Sequence, residues 1–494
     1  MHIPFNNRYI TLDETFYVRT KPTAVSRPTL IKFNDELAST LGLLTADFDA
    51  TEVAALFSGN VMPEGAEPLA MAYAGHQFGS FNPQLGDGRA ILLGEITTAE
   101  GASFAMQLKG SGRTFYSRGG DGRAALGPVL REYLLSEAMA KLNVPTTRAL
   151  AAVSTGEQVA RERLLPGGVI TRIASSFVRV GTFQYFAARG DEQAIKTLAD
   201  HVIECNYPEA AETEQPYVSF LKTVCERQAR LIAQWMQLGF IHGVMNTDNM
   251  SIVGETIDYG PCAFMDTFDQ NKVFSSIDRQ GRYAYSSQPG IGLWNLTRLA
   301  ETLLPLLADT TDEAVAVAQT LLKDYREQYE AAWLSGMCAR CGLTPGQDSE
   351  QNDRSLIKAL LDLMAESNAD FTLTFYHLSQ LETKPSEKDD ICRNLFDQPA
   401  LFDRWIVKWR QRLKQETTSD EQRRTTMLAV NPVYIPRNHQ IEAAIRAAED
   451  HGDFSVFHDL HAVLQNPFQL QAGKDRYQLP PEPDEVISQT FCGT

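Results

Sequence analysis

The chain has 494 residues, 43% of them hydrophobic, with a formal net charge of −17, so it can bury a substantial core. That acidic balance excludes general binding to nucleic acid or anionic membranes, because a surface that tracks phosphates needs clustered Lys and Arg to release counterions. Any anion site must therefore be local.

The first residues, MHIPFNNRYITLDETF, lack both a cationic stretch leading into an apolar core and an Arg-rich, acid-free pattern. No apolar run reaches the roughly 20 residues of a membrane span. A soluble, cytoplasmic protein is expected. Seven cysteines, odd in number and mostly scattered, do not form a secreted disulfide framework and are expected to be reduced. Cys338 and Cys341 form a CxxC with no second pair at metal spacing, which favours a structural role on a helix.

In chain order, the first 60 residues offer no chemistry and end in a helix near Thr51–Phe57. From Gly88 to Thr98, GRAILLGEITT has β-rich character, and FAMQLK (Phe104–Lys109) follows the turn AEGAS, which predicts a hairpin. After a Gly-rich stretch, Leu130, Tyr133, Leu134, Ala138 and Leu142 recur at helical spacing, with Pro128 suited to the helix start. Strand-like runs near Arg148–Val153 and Gly168–Ile173 complete a small antiparallel sheet carrying one helix. Helical patterns then dominate: Phe220–Leu238, stopped by Gly239, then Gly292–Leu307, Thr311–Ala339, Arg354–Ala365 and Asp403–Glu416. The expectation is an α+β chain whose two lobes divide near residue 175: residues 1–175 with the sheet, and residues 176–494, mostly helical.

Chemistry concentrates in two places. In IHGVMNTDNMSIVGETIDYG (Ile241–Gly260), around a short hairpin-like connection, Asp248, Asn249 and Asp258 converge as oxygen-bearing side chains. Magnesium and manganese prefer oxygen and take only one or two ligands from the protein, so Asn249 with Asp258 is a sufficient set. A His-x6-Asn followed by Asp-aromatic-Gly is the catalytic-loop and metal-loop order of protein-kinase-like enzymes. One departure is plain: the position of the usual catalytic base holds Val244, which leaves Asp248 as the nearest carboxylate able to accept a hydroxyl proton. His242 reads as a packing and hydrogen-bonding residue.

The second place is the segment from Lys109 to Arg131, which carries Lys109, Arg113, Arg118, Arg123 and Arg131 against Asp121 alone. Gly110, Gly112, Gly119, Gly120 and Gly122 leave backbone N–H groups free to approach phosphate oxygens. A strand-borne Lys109 can present its ammonium to phosphate while pairing with Glu132 or Glu137 on the next helix. Upstream lies Gly86-Asp87-Gly88-Arg89, a turn before a strand, and Arg172 and Arg179 add guanidinium forks at the lobe junction.

The blocks Tyr73–Glu95, Leu108–Leu134, His242–Asp266 and Asn431–Glu442 resemble the selenoprotein O family, whose bacterial members are called YdiU, over essentially the whole chain. The resemblance implies a protein-kinase-like, two-lobed pseudokinase fold that binds ATP with its phosphates reversed and transfers AMP to Ser, Thr or Tyr hydroxyls of proteins. Bacterial relatives are also associated with UMP transfer from UTP. It implies nucleotide contacts at Gly86, Gly88, Arg89, Lys109, Asp121, Gly122, Arg172, Arg179 and Asp258, with Lys109 paired to Glu132. It makes Asp248 the base, with Asn249 and Asp258 as ligands of Mg2+ or Mn2+. Cys492, third from the end, matches the place of selenocysteine in animal members, and Cys262 is its candidate redox partner. The alternatives are conventional γ-phosphoryl transfer and a catalytically silent nucleotide-binding scaffold. Nucleic acid and membrane are not expected partners.

Overall fold

A computed structural model describes residues 3–43, 49–346 and 349–491. Short strands β1 (Tyr17–Arg19), β2 (Thr29–Phe33) and β3 (Leu69–Met71) precede a small hairpin of β4 (Gly75–Gln77) and β5 (Ser80–Asn82). Then come β6 (Ala90–Thr97), β7 (Ser103–Lys109), β8 (Ala124–Ala125), β9 (Arg148–Ala160) and β10 (Leu164–Ala174). Seven of these make the path β1-β3-β6-β7-β10-β9-β2, with β8 paired to β10, an antiparallel sheet of eight strands.

The predicted β6–β7 hairpin is present, and β9 and β10 run several residues past their predicted ends. Those extensions read STGEQVA and LLPG, where exposed polar positions and glycine hide the alternation that marks a strand. Register sets the chemistry. Lys109 lies opposite Ala90 on one side and Ile170 on the other, while Gln107 lies opposite Arg172. Directly opposed residues, and residues two apart on a strand, share a face, so Gln107, Lys109 and Arg172 point the same way.

That face looks onto α3 (Leu126–Lys141), after α1 (Asp35–Thr40) and α2 (Ala50–Phe57) earlier in the chain. Helix α3 begins at Leu126, two residues ahead of Pro128, whose missing N–H still falls in the first turn where no intrahelical acceptor exists. Buried residues occupy nearly all of α3, including Arg131, Glu132, Ser136 and Glu137. The sheet covers one side, and helices Asn438–His451 and Ser455–Leu464 cover the other, with Tyr133 edge-on to Phe457 at 5.7 Å. A role for the late sequence is thereby visible: it encloses the helix that carries Glu132.

Beyond Ala174 the chain is mainly helical: α4 (Val180–Ala187), α5 (Glu192–Asn206), α6 (Pro208–Ala211), α7 (Pro216–Leu238), α8 (Gln288–Leu307) and α9 (Thr311–Arg340), with further helices such as Glu350–Glu366 and Pro399–Leu413. Helix α7 ends as predicted at Gly239, whose φ of +73° suits glycine and lets its N–H reach Trp235 O. This mixed architecture, a multi-stranded antiparallel sheet followed by many helices, is consistent with the kinase-like fold. Among the described residues no helix is long and apolar enough to cross a membrane.

The expected hairpin around residues 241–260 takes another form. Strand β11 (Phe240–Ile241) pairs with β12 (Ala263–Phe264), and the loop between them is pinned by bridges Arg179↔Ser251 and Thr146↔Thr256 and a 3-10 turn at Thr247–Asn249.

Candidate active site

Lys109 ends β7 with its Nζ 2.7 Å from Glu132 Oε2, and Arg172 Nε donates to Glu132 Oε1 at 2.5 Å. Burial alone would raise the Glu132 pKa, but Arg172 and Lys109 outweigh it and hold the carboxyl below its ordinary value. Burial in turn lowers that of Lys109. The other candidate, Glu137, faces away: it accepts from Arg148 Nε at 2.9 Å, Asn34 Nδ2 at 2.7 Å and Ala149 N at 2.8 Å. Glu132 is the partner of Lys109.

Asp258 sits at a φ of +64°, a left-handed conformation that Asp tolerates better than bulky residues. Arg172 Nη2 donates to its Oδ1 at 2.6 Å, Arg179 Nη1 to its Oδ2 at 2.9 Å, and Lys109 Nζ stands 3.8 Å from Oδ1. Against a burial effect that raises it, these three cations hold the Asp258 carboxyl far below the usual range. Arg172 and Arg179 are 2% and 4% exposed, and their guanidiniums engage Glu132 and Asp258 at the floor of the site.

The loop carrying Asp248 is built differently. Its carboxylate is buried beside Gly75, and Oδ1 has no hydrogen-bond partner among the described residues. Oδ2 accepts from Gln77 Nε2 at 3.3 Å. Burial pushes the Asp248 pKa up to about 6, against the pull of Arg179. Arg179 Nη1 also donates to the Asp248 carbonyl at 2.8 Å, tying this loop to Asp258. Asn249 Nδ2 donates to Val244 O at 3.1 Å, which leaves the amide oxygen as its ligating atom. His242 has the predicted structural role: it is 1% exposed, its Nε2 lies 2.9 Å from Ile257 O, and Val244 N approaches its Nδ1 at 3.4 Å.

Lys109, Arg172, Arg179, Asp248, Asn249 and Asp258 meet in one cleft of about 760 Å³. Gly86, Gly88, Arg89, Lys109, Asp121, Gly122, Arg172, Arg179, Asp248, Asn249 and Asp258 line it, so one cavity gathers every sequence-predicted nucleotide, base and metal position. Gly122 is required where it stands, since a Cβ would fall 2.1 Å from Gly112 O at a φ of +68°. Asp121 pairs with Arg161 Nη1 at 2.8 Å and accepts from Arg123 N at 2.9 Å, a brace for the Gly-rich loop.

The cation cluster read from sequence divides on folding. Arg131 is buried and donates to Cys262 O, Asn438 Oδ1 and Gly260 O, so it fastens α3 to the segment after Asp258. Arg113 is not among the cleft residues. Lys109, Arg118 and Arg123 do line it, joined by Arg89, Arg161, Arg172 and Arg179 from elsewhere in the chain. Seven cations against Asp87, Asp121, Asp248 and Asp258 make the cleft locally positive in a chain of net charge −17.

Sequence reasoning passed over Tyr73, Gln77 and Asp87. Tyr73 lies under the Arg179 guanidinium, 4.6 Å from its ring centroid. Asp87 is 2% exposed, accepts from Met71 N and Gln107 Nε2 at 3.2 Å each, and has its pKa raised by burial to about 6. A carboxylate between two glycines was the available signal.

Among the described residues no group of three or more His, Cys, Asp or Glu forms a metal cage. Two oxygen donors in a cation-rich cleft fit a hard divalent ion only when phosphate oxygens and water complete its shell. Cys262 is buried next to Pro261, whose carbonyl accepts from Thr490 Oγ1, and Thr490 N donates to Phe274 O at 2.7 Å. The tail thus runs beside this loop. Cys492 lies outside the described residues.

A buried Lys–Glu pair, a left-handed Asp clamped by arginines and a cation-lined cleft make this the candidate site of the chain. The chain matches the family described as protein adenylyltransferase SelO over residues 1–465 and belongs to it. It is 57% identical to the protein nucleotidyltransferase YdiU of Rhodopseudomonas palustris (strain BisB5) and 58% to that of strain BisB18, each over 100% of both chains. A protein of the same name from Bradyrhizobium sp. (strain ORS 278) is 55% identical, again over 100% of both chains.

Proposed function

We propose that this chain is a protein nucleotidyltransferase that moves AMP from ATP onto Ser, Thr or Tyr hydroxyls of cytoplasmic proteins, and accepts UTP for UMP transfer. The observation that carries the reading is the pairing of a reluctant carboxylate, Asp248, with a cleft lined by seven cations. The acceptor oxygen bonds to the α-phosphorus, its proton goes to Asp248, and the α–β bridging P–O bond breaks with its electron pair leaving on pyrophosphate. Such a leaving group carries more charge than a single phosphoryl group, which accounts for the excess of Arg and Lys.

Asn249 and Asp258 would hold Mg2+ or Mn2+, which supplies charge neutralisation at the phosphates when bound. Lys109, oriented by Glu132, meets phosphate oxygens, and Arg172 and Arg179 fix Asp258 in place. Gly86, Gly88, Arg89, Asp121 and Gly122 frame the nucleotide. The test is incubation with ATP labelled at the α- or the γ-phosphate, and with α-labelled UTP. Protein acquiring α-label alone supports the reading. Transfer of γ-label makes the chain a conventional kinase, and absence of any transfer leaves a nucleotide-binding scaffold.

A further inference from the structure

The strands β4 and β5 form a separate two-stranded hairpin that leaves the main sheet and lies against the loop of Asp248. Three bonds fasten it there: His76 N donates to Thr247 Oγ1 at 2.7 Å, Phe78 N to Asn246 Oδ1 at 3.0 Å, and Gln77 Nε2 to Asp248 Oδ2 at 3.3 Å. Thr247 and Asn246 are themselves braced. Thr247 Oγ1 donates to Gln184 Oε1 at 2.6 Å, Gln184 Nε2 lies 2.9 Å from His76 Nδ1, and Asn246 Oδ1 also accepts from Tyr283 OH at 2.6 Å.

Phe78 is held at a φ of +52°, a conformation uncommon for a bulky residue, at the point where its N–H meets Asn246. On the other side of the carboxylate, a Cβ on Gly75 would fall 2.4 Å from Asp248 Oδ1. Oδ1 is thus enclosed in the space that glycine leaves, Oδ2 is the oxygen that accepts from Gln77, and Asp248 and Gln77 both line the cleft.

We propose that Gln77 is a positioning residue for the transfer reaction: its side-chain amide fixes the Asp248 carboxylate so that Oδ2 meets the acceptor hydroxyl. This rests on the reading of Asp248 as proton acceptor. An amide suits the task because it donates one N–H to the carboxylate while adding no charge to a site tuned by three cations around Asp258. Methionine has nearly the same shape without the donor. Glutamate has the same length but only acceptors, and would repel Asp248.

The experiment compares Gln77→Met and Gln77→Glu with wild type, using α-labelled ATP and magnesium, with label counted on the chain itself and on casein. Nucleotide affinity is measured separately. Gln77→Met should lower kcat by about tenfold to a hundredfold, the range that misplacing a reacting group by about 1 Å produces, with nucleotide KM and Kd within about twofold of wild type. Gln77→Glu should be slower still, again with nucleotide affinity retained. Unchanged kcat in Gln77→Met overturns the proposal. So does parallel loss of nucleotide affinity, which marks a structural role, and so does a Gln77→Glu enzyme at least as fast as Gln77→Met. Asp248→Asn run alongside separates the two readings. If that variant keeps the wild-type rate, Asp248 is not the acceptor and both readings fall; if it is inactive while Gln77→Met is not slowed, only the role of Gln77 falls.

Discussion

Asp248 and Asp258 are carboxylates on one loop, lining one cleft, and burial acts on both in the same direction. Their neighbours drive them apart. Asp258 is met by Lys109, Arg172 and Arg179 and stays ionised under all ordinary conditions. Asp248 has one long bond from Gln77 and an oxygen without a partner among the described residues, and burial pushes its pKa up to about 6. Two acids whose surroundings separate their proton affinities suit different tasks: one is a permanent charge, the other can take a proton.

The sharpest way to break this contrast is to neutralise the permanent charge. Asp258→Asn keeps the shape and one acceptor, yet leaves Arg172 and Arg179 facing each other with less compensation. Transfer should fall on the order of a thousandfold or more, about 4 kcal/mol of barrier, and metal-dependent nucleotide binding should disappear while far-UV circular dichroism is retained. A variant that still binds nucleotide in a metal-dependent way would remove Asp258 from the ligand set. Asp248→Asn acts on the other member. Its kcat should fall by about a hundredfold to a thousandfold, as loss of a general base does, with nucleotide Kd unchanged by calorimetry. Equal losses of affinity in both variants would erase the division of labour.

A smaller effect is expected one step behind Asp258. Glu132→Gln removes the carboxylate shared by Lys109 and Arg172, both nearly enclosed, and should lower stability by about 3 kcal/mol as read from the denaturant midpoint, along with nucleotide affinity. Glu137→Gln also disrupts a buried network, so its stability should fall as well, with nucleotide affinity intact. Loss of affinity in both would mean that α3 shifts as a whole.

Those two glutamates also show where the sequence stopped being legible. They are five residues apart, which turns them about 140° from each other around α3, but only the packing of α3 on the sheet decides which one faces Lys109. That Lys109, Asn249 and Asp258 share a cleft was readable because the signals are local in order: a lysine closing an apolar strand, then an Asn and an Asp-aromatic-Gly at fixed spacing. The role of Arg131 was not, since its partners Gly260, Cys262 and Asn438 come from distant segments. Nor was the β4–β5 hairpin, because three-residue strands carry too little alternation to register. The helices that enclose α3 were equally silent, their reason for being apolar lying some 300 residues upstream.

The smallest effect concerns Asp87, which shares the raised pKa of Asp248 but stands near Arg179 and accepts from Met71 N and Gln107. Its folded-state pKa of about 6 exceeds the ordinary 3.8, so the folded chain holds this proton more tightly than the unfolded one. Stability must then fall as pH rises from about 4 to about 6 and level off above, by up to about 3 kcal/mol. Asp258 has the opposite sign: its contribution is fully present above the unfolded value and is lost only at lower pH, so it adds no slope within that window. Asp258, the acid coupled to Asp87, stays ionised across that window, so the difference between wild type and variant reports Asp87. Asp87→Asn should therefore gain about 2 kcal/mol of stability relative to wild type between pH 4.5 and pH 7.5, the part of that change falling in this window, measured by chemical denaturation at both. No gain would show that Arg179, 3.9 Å from Asp87, already neutralises it, and that only Asp248 in this cleft is kept reluctant to ionise.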